Sequence, residues 1–288
     1  MAYQAIADMI AEAEEKKIPL WRLLLEDDLE DSRLTEEESL EKMRRIYHTM
    51  KEAYRTYDPA QMSRSGLVGG DGQKMHQAVA QGKTVSGGFL GNVMEKALKM
   101  AESNACMKRI VAAPTAGSCG VIPAVFCAYE EMYHVDEEEM IRGLYICAGI
   151  GEVIAARAFL AGAAGGCQAE IGSASAMAAA GLTYLRGGSA EAVAHSCSMA
   201  LSNLLGLVCD PVAGLVEVPC VKRNVIGAVN AVTSSDLAIA GIRTRIPPDE
   251  VIDAMKEVGE SLPARLRETG EGGLAATPSG MKIARELW

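Results

Sequence analysis

The sequence predicts a mostly α fold, with one all-helical domain and Gly-rich loops between its helices. Hydrophobic residues make up 49% of the 288-residue chain, aromatic residues make up 5%, and 29 residues are glycine. Small residues at this density allow helices to approach each other closely, which favours helical packing over a β-sandwich. No stretch alternates apolar and polar residues with period two, and no internal repeat is present.

The first part of the chain, residues 1–60, predicts an N-terminal helical segment before a larger domain at residues 61–288. Thr35 and Glu38 form a capping-box pattern, which predicts a long helix that ends before Asp58 and Pro59. Residues 63–88 are irregular and rich in glycine, and residues 89–107 are amphipathic again. The chain is therefore expected to enter its main domain through a Gly-rich loop region.

Beyond residue 120, helical stretches alternate with short loops. A Pro-Pro-Asp-Glu sequence at 247–250 is typical of a helix start, because proline suits the first turn and acidic residues oppose the helix dipole. The predicted helices span residues 121–134, 137–164, 173–186, 189–206, 225–241, 248–258 and 273–286.

Charge and hydropathy exclude several classes of partner. The formal net charge of −10 disfavours nucleic acid, since phosphate binding needs clustered Lys and Arg. Charged side chains interrupt the most apolar region, residues 141–167, so it predicts a buried helix and no membrane span. The N-terminus has no secretory pattern, and the eight cysteines are therefore expected as free thiols in a reducing cytoplasm.

Three cysteines lie in loops punctuated by glycine and proline. Cys167, Cys209 and Cys220 occur in the sequences GGCQAEIG (165–172), VCDPVAG (208–214) and VPCVKRN (218–224). Three thiolates can hold a metal centre and leave one coordination position free, which is typical of a catalytic metal. A long spacing followed by a short one excludes zinc ribbons and small ferredoxins. The pattern favours a site assembled by the fold, such as an iron–sulfur cluster with one open iron.

The other cysteines have simpler interpretations. Four of them lie among helical Ala, Met or Leu and are expected in the core: Cys106, Cys127, Cys147 and Cys197. Cys119 lies in a Gly-flanked turn, and it is either a fourth ligand or a residue of the site wall.

Two further sequence patterns are candidates for ligand binding. Gly82, Lys83 and Thr84 look like the end of a phosphate-binding loop, but Gln77 stands where the first glycine is required. The sequence SGGFLG at 86–91 either cradles an anion with its backbone amides or is an ordinary helix entry.

Around the three cysteines, the chain resembles the α subunit of the bacterial iron–sulfur-dependent L-serine dehydratases (L-serine ammonia-lyases) of the two-chain type. The resemblance extends from about residue 60 to the end. It lies in the sequences APTAGSCGVIPA (113–124), GCQAEIGSA (166–174) and CDPVAGLVEVPCVKRN (209–224). It implies an all-helical catalytic domain in which Cys167, Cys209 and Cys220 bind a [4Fe–4S] cluster.

The resemblance also implies the reaction, which is conversion of L-serine to pyruvate and ammonia in amino-acid catabolism and gluconeogenesis. The open iron is expected to act as a Lewis acid on the substrate hydroxyl, because hydroxide is a poor leaving group. The substrate carboxylate needs hydrogen-bond donors. The candidate donors are Lys74, Ser86, Gly87, Gly88, Thr115 and Ser118.

Two departures from single-chain relatives bear on partners. Those relatives contain a second domain with a Ser-Ser-His-Thr-like loop that completes the substrate site, and this sequence has no such loop. A separate β subunit, forming a heterodimer, is therefore expected, and it is one source of the unassigned general base. Single-chain relatives also end in a cysteine that can occupy the open iron, whereas this sequence ends in Trp288.

Two alternatives remain open on sequence alone. A structural Cys3His zinc module would use His195 as its fourth ligand. A pyridoxal-phosphate dehydratase would use Lys83 beside the glycines at 87–88, although the alternating β/α pattern of such enzymes is missing.

Overall fold

The computed structural model describes residues 3–288, and the described chain folds into α-helices joined by short loops. Its one pairing of extended backbone is an isolated parallel bridge between Cys209 and Arg267. The predicted all-α class is confirmed. Within the described range the α-helices are α1 (Ile6–Lys16), α2 (Leu20–Ser32), α3 (Glu36–Arg55), α4 (Asp71–Ala80), α5 (Gly87–Ala105), α6 (Val121–Tyr133), α7 (Glu137–Arg157), α8 (Gly162–Gly165), α9 (Ser173–Leu185), α10 (Ala190–Ser202), α11 (Cys220–Ile239), α12 (Pro248–Ser261) and α13 (Pro278–Leu287).

The capping box predicted at the start of α3 is confirmed. The Glu38 backbone N–H donates to Thr35 Oγ1 at 3.3 Å, and the Thr35 backbone N–H donates to Glu38 Oε2 at 2.8 Å. Each side chain thus satisfies a backbone donor that the helix itself leaves unpaired.

Several predicted helix boundaries were wrong, and backbone chemistry explains them. α7 ends at Arg157, and the chain leaves helical geometry at Ala158 before a separate short helix, α8. α11 begins at Cys220, five residues earlier than predicted, directly after Pro219. Proline lacks an N–H and is readily accepted at a helix start. Two other predicted helices are shorter, because residues 203–206 form a turn after α10 and residues 273–276 form a 3-10 turn before α13.

α9 lies at the centre of the helical packing, in contact with α6, α7, α10 and α11. Every residue from 173 to 183 is buried, and most are Ala, Ser or Gly. A Cβ added to Gly181 would lie 2.6 Å from both Cys147 Sγ and Phe126 Cζ, and 3.0 Å from the Gly143 carbonyl oxygen. The small side chains of α9 therefore permit the close approach of its neighbours.

The N-terminal helices share one continuous core with the rest of the chain. Ile6, Leu25 and Tyr47 are buried in the same hydrophobic cluster as Ile150. The start of α1 is also held by Asp249, whose carboxylate accepts from the backbone N–H groups of residues 6 and 7 at 2.8 Å and 3.1 Å. The division of the chain at residue 60 into an N-terminal segment and a catalytic domain stays a prediction.

In the described part of the chain, no helix combines the length and the apolar character that crossing a membrane requires.

We expect Gly181→Ala to lower the free energy of unfolding by about 1–3 kcal/mol, because the added methyl overpacks the contact between α9 and α7. Chemical denaturation followed by circular dichroism would measure it. Gly88→Ala is the matched control, since its Cβ would meet nothing closer than the Met132 methyl at 3.7 Å. Equal stabilities of the two variants would contradict this description of the core.

Candidate metal centre

The fold brings Cys167, Cys209 and Cys220 together from three separate segments. Cys167 lies between α8 and α9, Cys209 follows α10, and Cys220 is the first residue of α11. Their exposed fractions are 2%, 2% and 7%. All eight cysteines of the chain are free thiols. The sulfurs of Cys167 and Cys209 lie within 4.8 Å of each other, and the charge of Cys167 acts on the Cys220 thiol.

Cys167 is positioned by the turn that follows it. A π-helical turn, Gln168–Gly172, leads into α9, and such turns are frequent at functional sites. The buried Gln168 side chain donates to the carbonyl oxygens of Gly165 and Met255 at 2.9 Å and 3.0 Å and accepts from the Gly206 N–H at 2.8 Å. The Gln168 amide therefore holds the Cys167 loop against α12 and against the turn that follows α10.

Cys209 is positioned by the C-terminal region. Its backbone N–H donates to the Leu266 carbonyl oxygen and its carbonyl oxygen accepts from the Glu268 N–H, both at 2.8 Å. The next residue, Asp210, accepts from the Leu274 N–H at 2.7 Å and from Arg223 Nη2 at 2.7 Å. These bonds hold the Cys209 loop on both sides.

Cys220 is positioned through Asn224, which is buried one turn later on α11. Asn224 Nδ2 donates to the carbonyl oxygens of Cys220 at 3.1 Å and Gly117 at 2.7 Å, and Asn224 Oδ1 accepts from the Gly120 N–H at 2.8 Å. Asn224 therefore fixes the turn at residues 115–120 beside the cysteines. Cys220 also lies at a helix N-terminus, where the dipole favours a thiolate.

The three thiols influence each other electrostatically. The hydrogen bond from Cys209, together with the charge of Arg223, lowers the pKa of Cys167 against the opposing effect of burial. The same hydrogen bond, with burial, raises the pKa of Cys209. Burial raises the pKa of Cys220 to about 12, and the Cys167 charge adds to that rise. Ionising all three thiols together requires added positive charge, which a metal centre supplies.

Arg223 is a cation whose charge acts on this group and lowers the pKa of Cys167. Its side chain donates to the Val208 carbonyl oxygen at 2.7 Å and to Asp210 Oδ1 at 2.7 Å. The side chains of Arg223 and Asp210 are 13% and 4% exposed. This buried ion pair therefore holds a positive charge against the sulfur ligands.

Glu170 is a member of the site that sequence reasoning missed. Its carboxylate oxygen and the sulfurs of Cys167 and Cys209 all lie within 4.8 Å of one another. Burial raises the pKa of the Glu170 carboxyl, while a hydrogen bond from Thr115 opposes that shift. The available signal was its position three residues after Cys167 at a helix start, which places both side chains on one face.

The turn with Thr115 and Ser118, two of the candidate donors, lies against Glu170 and is bonded to Asn224. The two hydroxyl oxygens are 3.1 Å apart, and Ser118 Oγ also accepts from the Thr115 N–H at 3.4 Å. Gly117, within the same turn, faces Glu170 so closely that an added Cβ would lie 3.0 Å from Glu170 Oε2. Their role in substrate binding stays a prediction.

The structure does not bring Ser86, Gly87 and Gly88 to the cysteine site. They begin α5, near Met132, whereas the far end of that helix is bonded to the 115–118 turn by Asn104 Nδ2, which donates to the Ala116 carbonyl oxygen at 3.1 Å. At about 1.5 Å per residue, α5 separates its two ends by roughly 25 Å. Substrate binding by these three residues stays a prediction.

Lys74 lies on α4 and is also outside the group of thiols. Its ammonium pairs with Asp71 Oδ1 at 2.8 Å, and its side chain is 76% exposed. Asp71 Oδ2 lies 3.7 Å from the Nζ atom of Lys222, which is in the first turn of α11. Lys74 and Lys222 therefore both contact the Asp71 carboxylate at the protein surface. Substrate binding by Lys74 stays a prediction.

The remaining candidates do not join the centre. Cys119 is buried with its sulfur 3.9 Å from the Met100 carbonyl oxygen. Among the described residues, no potential metal-binding group of three includes Cys119 or His195, and His195 lies beside Glu191 at 3.6 Å. Lys83 is exposed after α4. Three thiols are the soft donor set that iron–sulfur clusters and zinc prefer, so the residues fit a thiolate-bound metal centre.

Comparison with known proteins identifies the family. The family model described as serine dehydratase alpha chain matches residues 14–275. The chain belongs to this family. It is 44% identical to the probable L-serine dehydratase alpha chain of Bacillus subtilis, over 99% of this chain and 95% of that protein. It is 43% identical to the L-serine dehydratase alpha chain of Peptoniphilus asaccharolyticus, over 97% and 96%.

A longer relative matches in part. The chain is 45% identical to the L-serine dehydratase TdcG of Escherichia coli, over 62% of this chain and 40% of that protein. The matched region of the chain thus corresponds to two-fifths of the longer protein.

We expect Arg223→Met to raise the pKa of Cys167 in the metal-free protein, because the neighbouring positive charge that favours its thiolate is lost. Stability should fall by about 3–5 kcal/mol, since Asp210 is left buried without its partner. Ultraviolet absorbance of the thiolate during a pH titration and urea unfolding would measure the two effects.

The double variant Arg223→Met/Asp210→Asn is the control for the stability effect. It removes both charges and should regain part of the lost stability. If Arg223→Met alone were as stable as the unmodified protein, the result would contradict a stabilising role for the buried ion pair.

Proposed function

We propose that this chain is the α subunit of an L-serine dehydratase, a carbon–nitrogen lyase that converts L-serine to pyruvate and ammonia. The family and the names of the relatives support the activity. The observation on which the proposal depends is the convergence of three buried thiols from Cys167, Cys209 and Cys220 beside a polar turn. In the described structure, Cys167 and Cys209 form one compact group with Glu170, and the charge of Cys167 acts on the nearby Cys220 thiol.

The proposed cofactor is a [4Fe–4S] cluster held by these three cysteines. When bound, it would supply a Lewis-acidic iron with a free coordination position, which stabilises the departing hydroxyl of serine. Burial of the thiols keeps water from competing for the site. The Arg223 guanidinium balances negative charge at Cys167, and hydrogen bonds to ligand sulfurs tune such centres.

Substrate orientation is proposed for the turn at residues 115–118. The hydroxyls of Thr115 and Ser118 lie at the site and are donors that a carboxylate or an alcohol can use. Asn224 fixes the turn from α11 through the Gly117 carbonyl oxygen and the Gly120 N–H. Donors that are already oriented lose little entropy when substrate binds.

A separate β subunit is proposed to complete the enzyme. The two relatives that match this chain almost completely are named alpha chains, and the longer Escherichia coli relative contains sequence beyond the matched part. The general base is not assigned to a residue of this chain, and the β subunit is one source of it.

The two alternatives lack a supporting observation. His195, the fourth ligand of the zinc module, pairs with Glu191 and does not approach the cysteines in the described structure. Lys83, required by the pyridoxal-phosphate alternative, is exposed in an all-helical fold.

We expect Cys209→Ala to lose cluster iron and serine deamination together, because two thiolates hold the cluster poorly. The chain would be purified anaerobically with and without its β subunit, and iron, acid-labile sulfide and pyruvate release would be measured. Cys197→Ala is the matched control, since Cys197 is fully buried in α10 and is not part of the site. Serine deamination by protein that contains neither iron nor sulfide would contradict the proposal.

We expect Thr115→Val to lower kcat/KM for L-serine by roughly 10-fold or more, corresponding to a lost hydrogen bond of about 1.5–3 kcal/mol to a charged group. The isosteric change retains the volume of the side chain. Ser86→Ala, at the distant end of α5, should leave kcat/KM unchanged, and an equal loss in both variants would contradict the assignment to the 115–118 turn.

A further inference from the structure

A carboxylate lies among the proposed sulfur ligands. The Glu170 carboxylate oxygen is within 4.8 Å of both Cys167 Sγ and Cys209 Sγ, which are themselves within that distance of each other. Cys220 acts electrostatically on Cys209, and Glu170 acts on all three thiols. Glu170 therefore faces the same space as the three thiols and offers a fourth donor atom of a different kind.

The surrounding chain packs closely around this carboxylate. Hydrogen bonding by Thr115 and Gly162 opposes the effect of burial, which raises the pKa of the Glu170 carboxyl. Gly117 and Gly162 leave room for it, because a Cβ on either residue would lie 3.0 Å from Glu170 Oε2. Two glycines from separate segments thus provide the space that this side chain occupies beside the sulfurs.

Glu170 has no counter-ion that would explain this position. The described structure records no ion pair between Glu170 and a Lys, Arg or His, although it records such pairs for the surface carboxylates of Asp253 and Asp236. The Arg223 guanidinium is bonded to Asp210. A half-buried carboxylate beside sulfur ligands is compensated most directly by a metal cation.

We propose that the Glu170 carboxylate is the fourth protein ligand of the metal centre when substrate is absent. The inference rests on the proposed function, because it assumes the three-cysteine cluster. Carboxylate oxygen is a harder donor than thiolate sulfur, so it leaves the unique iron chemically distinct from the other three. Such a ligand excludes water from the unique iron until serine enters.

The nature of the fourth ligand can be measured without turnover. The holoenzyme, prepared anaerobically with its β subunit and reduced by one electron, would be transferred to ¹⁷O-labelled water without serine. Electron–nuclear double resonance then reports whether labelled oxygen is bound to the cluster. We expect no ¹⁷O coupling in the unmodified enzyme, and a clear coupling in Glu170→Ala, where water takes the position of the carboxylate.

Two further variants separate ligation from other effects. Glu170→Gln keeps the size of the side chain and its contact with Thr115, so it should retain the fold and show the ¹⁷O coupling as well. Glu268→Gln removes an exposed carboxylate whose charge acts on Glu170, without removing the proposed ligand atom. We expect this control to resemble the unmodified enzyme.

The outcomes are distinguishable. A ¹⁷O coupling in the unmodified enzyme, or its absence from both Glu170 variants when they retain the cluster, overturns the ligand assignment while the iron–sulfur dehydratase stands. Loss of iron from both Glu170 variants, with iron retained in Glu268→Gln and no ¹⁷O coupling in the unmodified enzyme, supports the assignment. An unmodified enzyme without iron and sulfide overturns the proposed function and the ligand assignment with it.

Discussion

The positive charge of Arg223 opposes the build-up of negative charge among three buried thiol groups. The hydrogen bond with Cys167, together with burial, raises the pKa of Cys209, and burial with the charge of Cys167 raises the pKa of Cys220. At Cys167 the hydrogen bond from Cys209 and the charge of Arg223 lower the pKa, and Arg223 is held in place by Asp210 and the Val208 carbonyl oxygen. The loops that contain the cysteines are in turn shaped around that ion pair and around the amides of Gln168 and Asn224. The site is thus a set of buried polar groups whose hydrogen bonds are mutually dependent.

The helical framework explains how such polar groups can be buried. α9 consists largely of Ala, Ser and Gly, so its neighbours approach closely. Cys167 lies between α8 and α9, Cys209 lies in the loop between α10 and α11, and Cys220 begins α11. The small residues thus fill the centre of the helical packing, and the buried polar groups of the site lie in the segments that join the helices.

Sequence reasoning succeeded where local chemistry decides the structure. The all-α class followed from periodicity and small residues, and the capping box followed from Thr35 and Glu38. The role of the three cysteines as metal ligands, expected from their glycine and proline neighbours, stays a prediction. Sequence reasoning was less successful where distant contacts decide. The early start of α11 at Cys220 depends on Pro219 and on the tertiary bonds of Asn224. The separation of Ser86 from the cysteines is set by the length of α5, and Glu170 becomes notable because Gly117 and Gly162 approach it from other segments.

The pairing of Cys209 with the C-terminal region affects the timing of biosynthesis. The backbone of Cys209 is bonded to Leu266 and Glu268, and Asp210 is bonded to Leu274. These partners leave the ribosome more than fifty residues after the cysteine loop itself. The nascent chain consequently cannot form the bonds that hold the Cys209 loop while residues 266–274 are still inside the exit tunnel. The proposed metal centre therefore has to be completed after translation has passed that point.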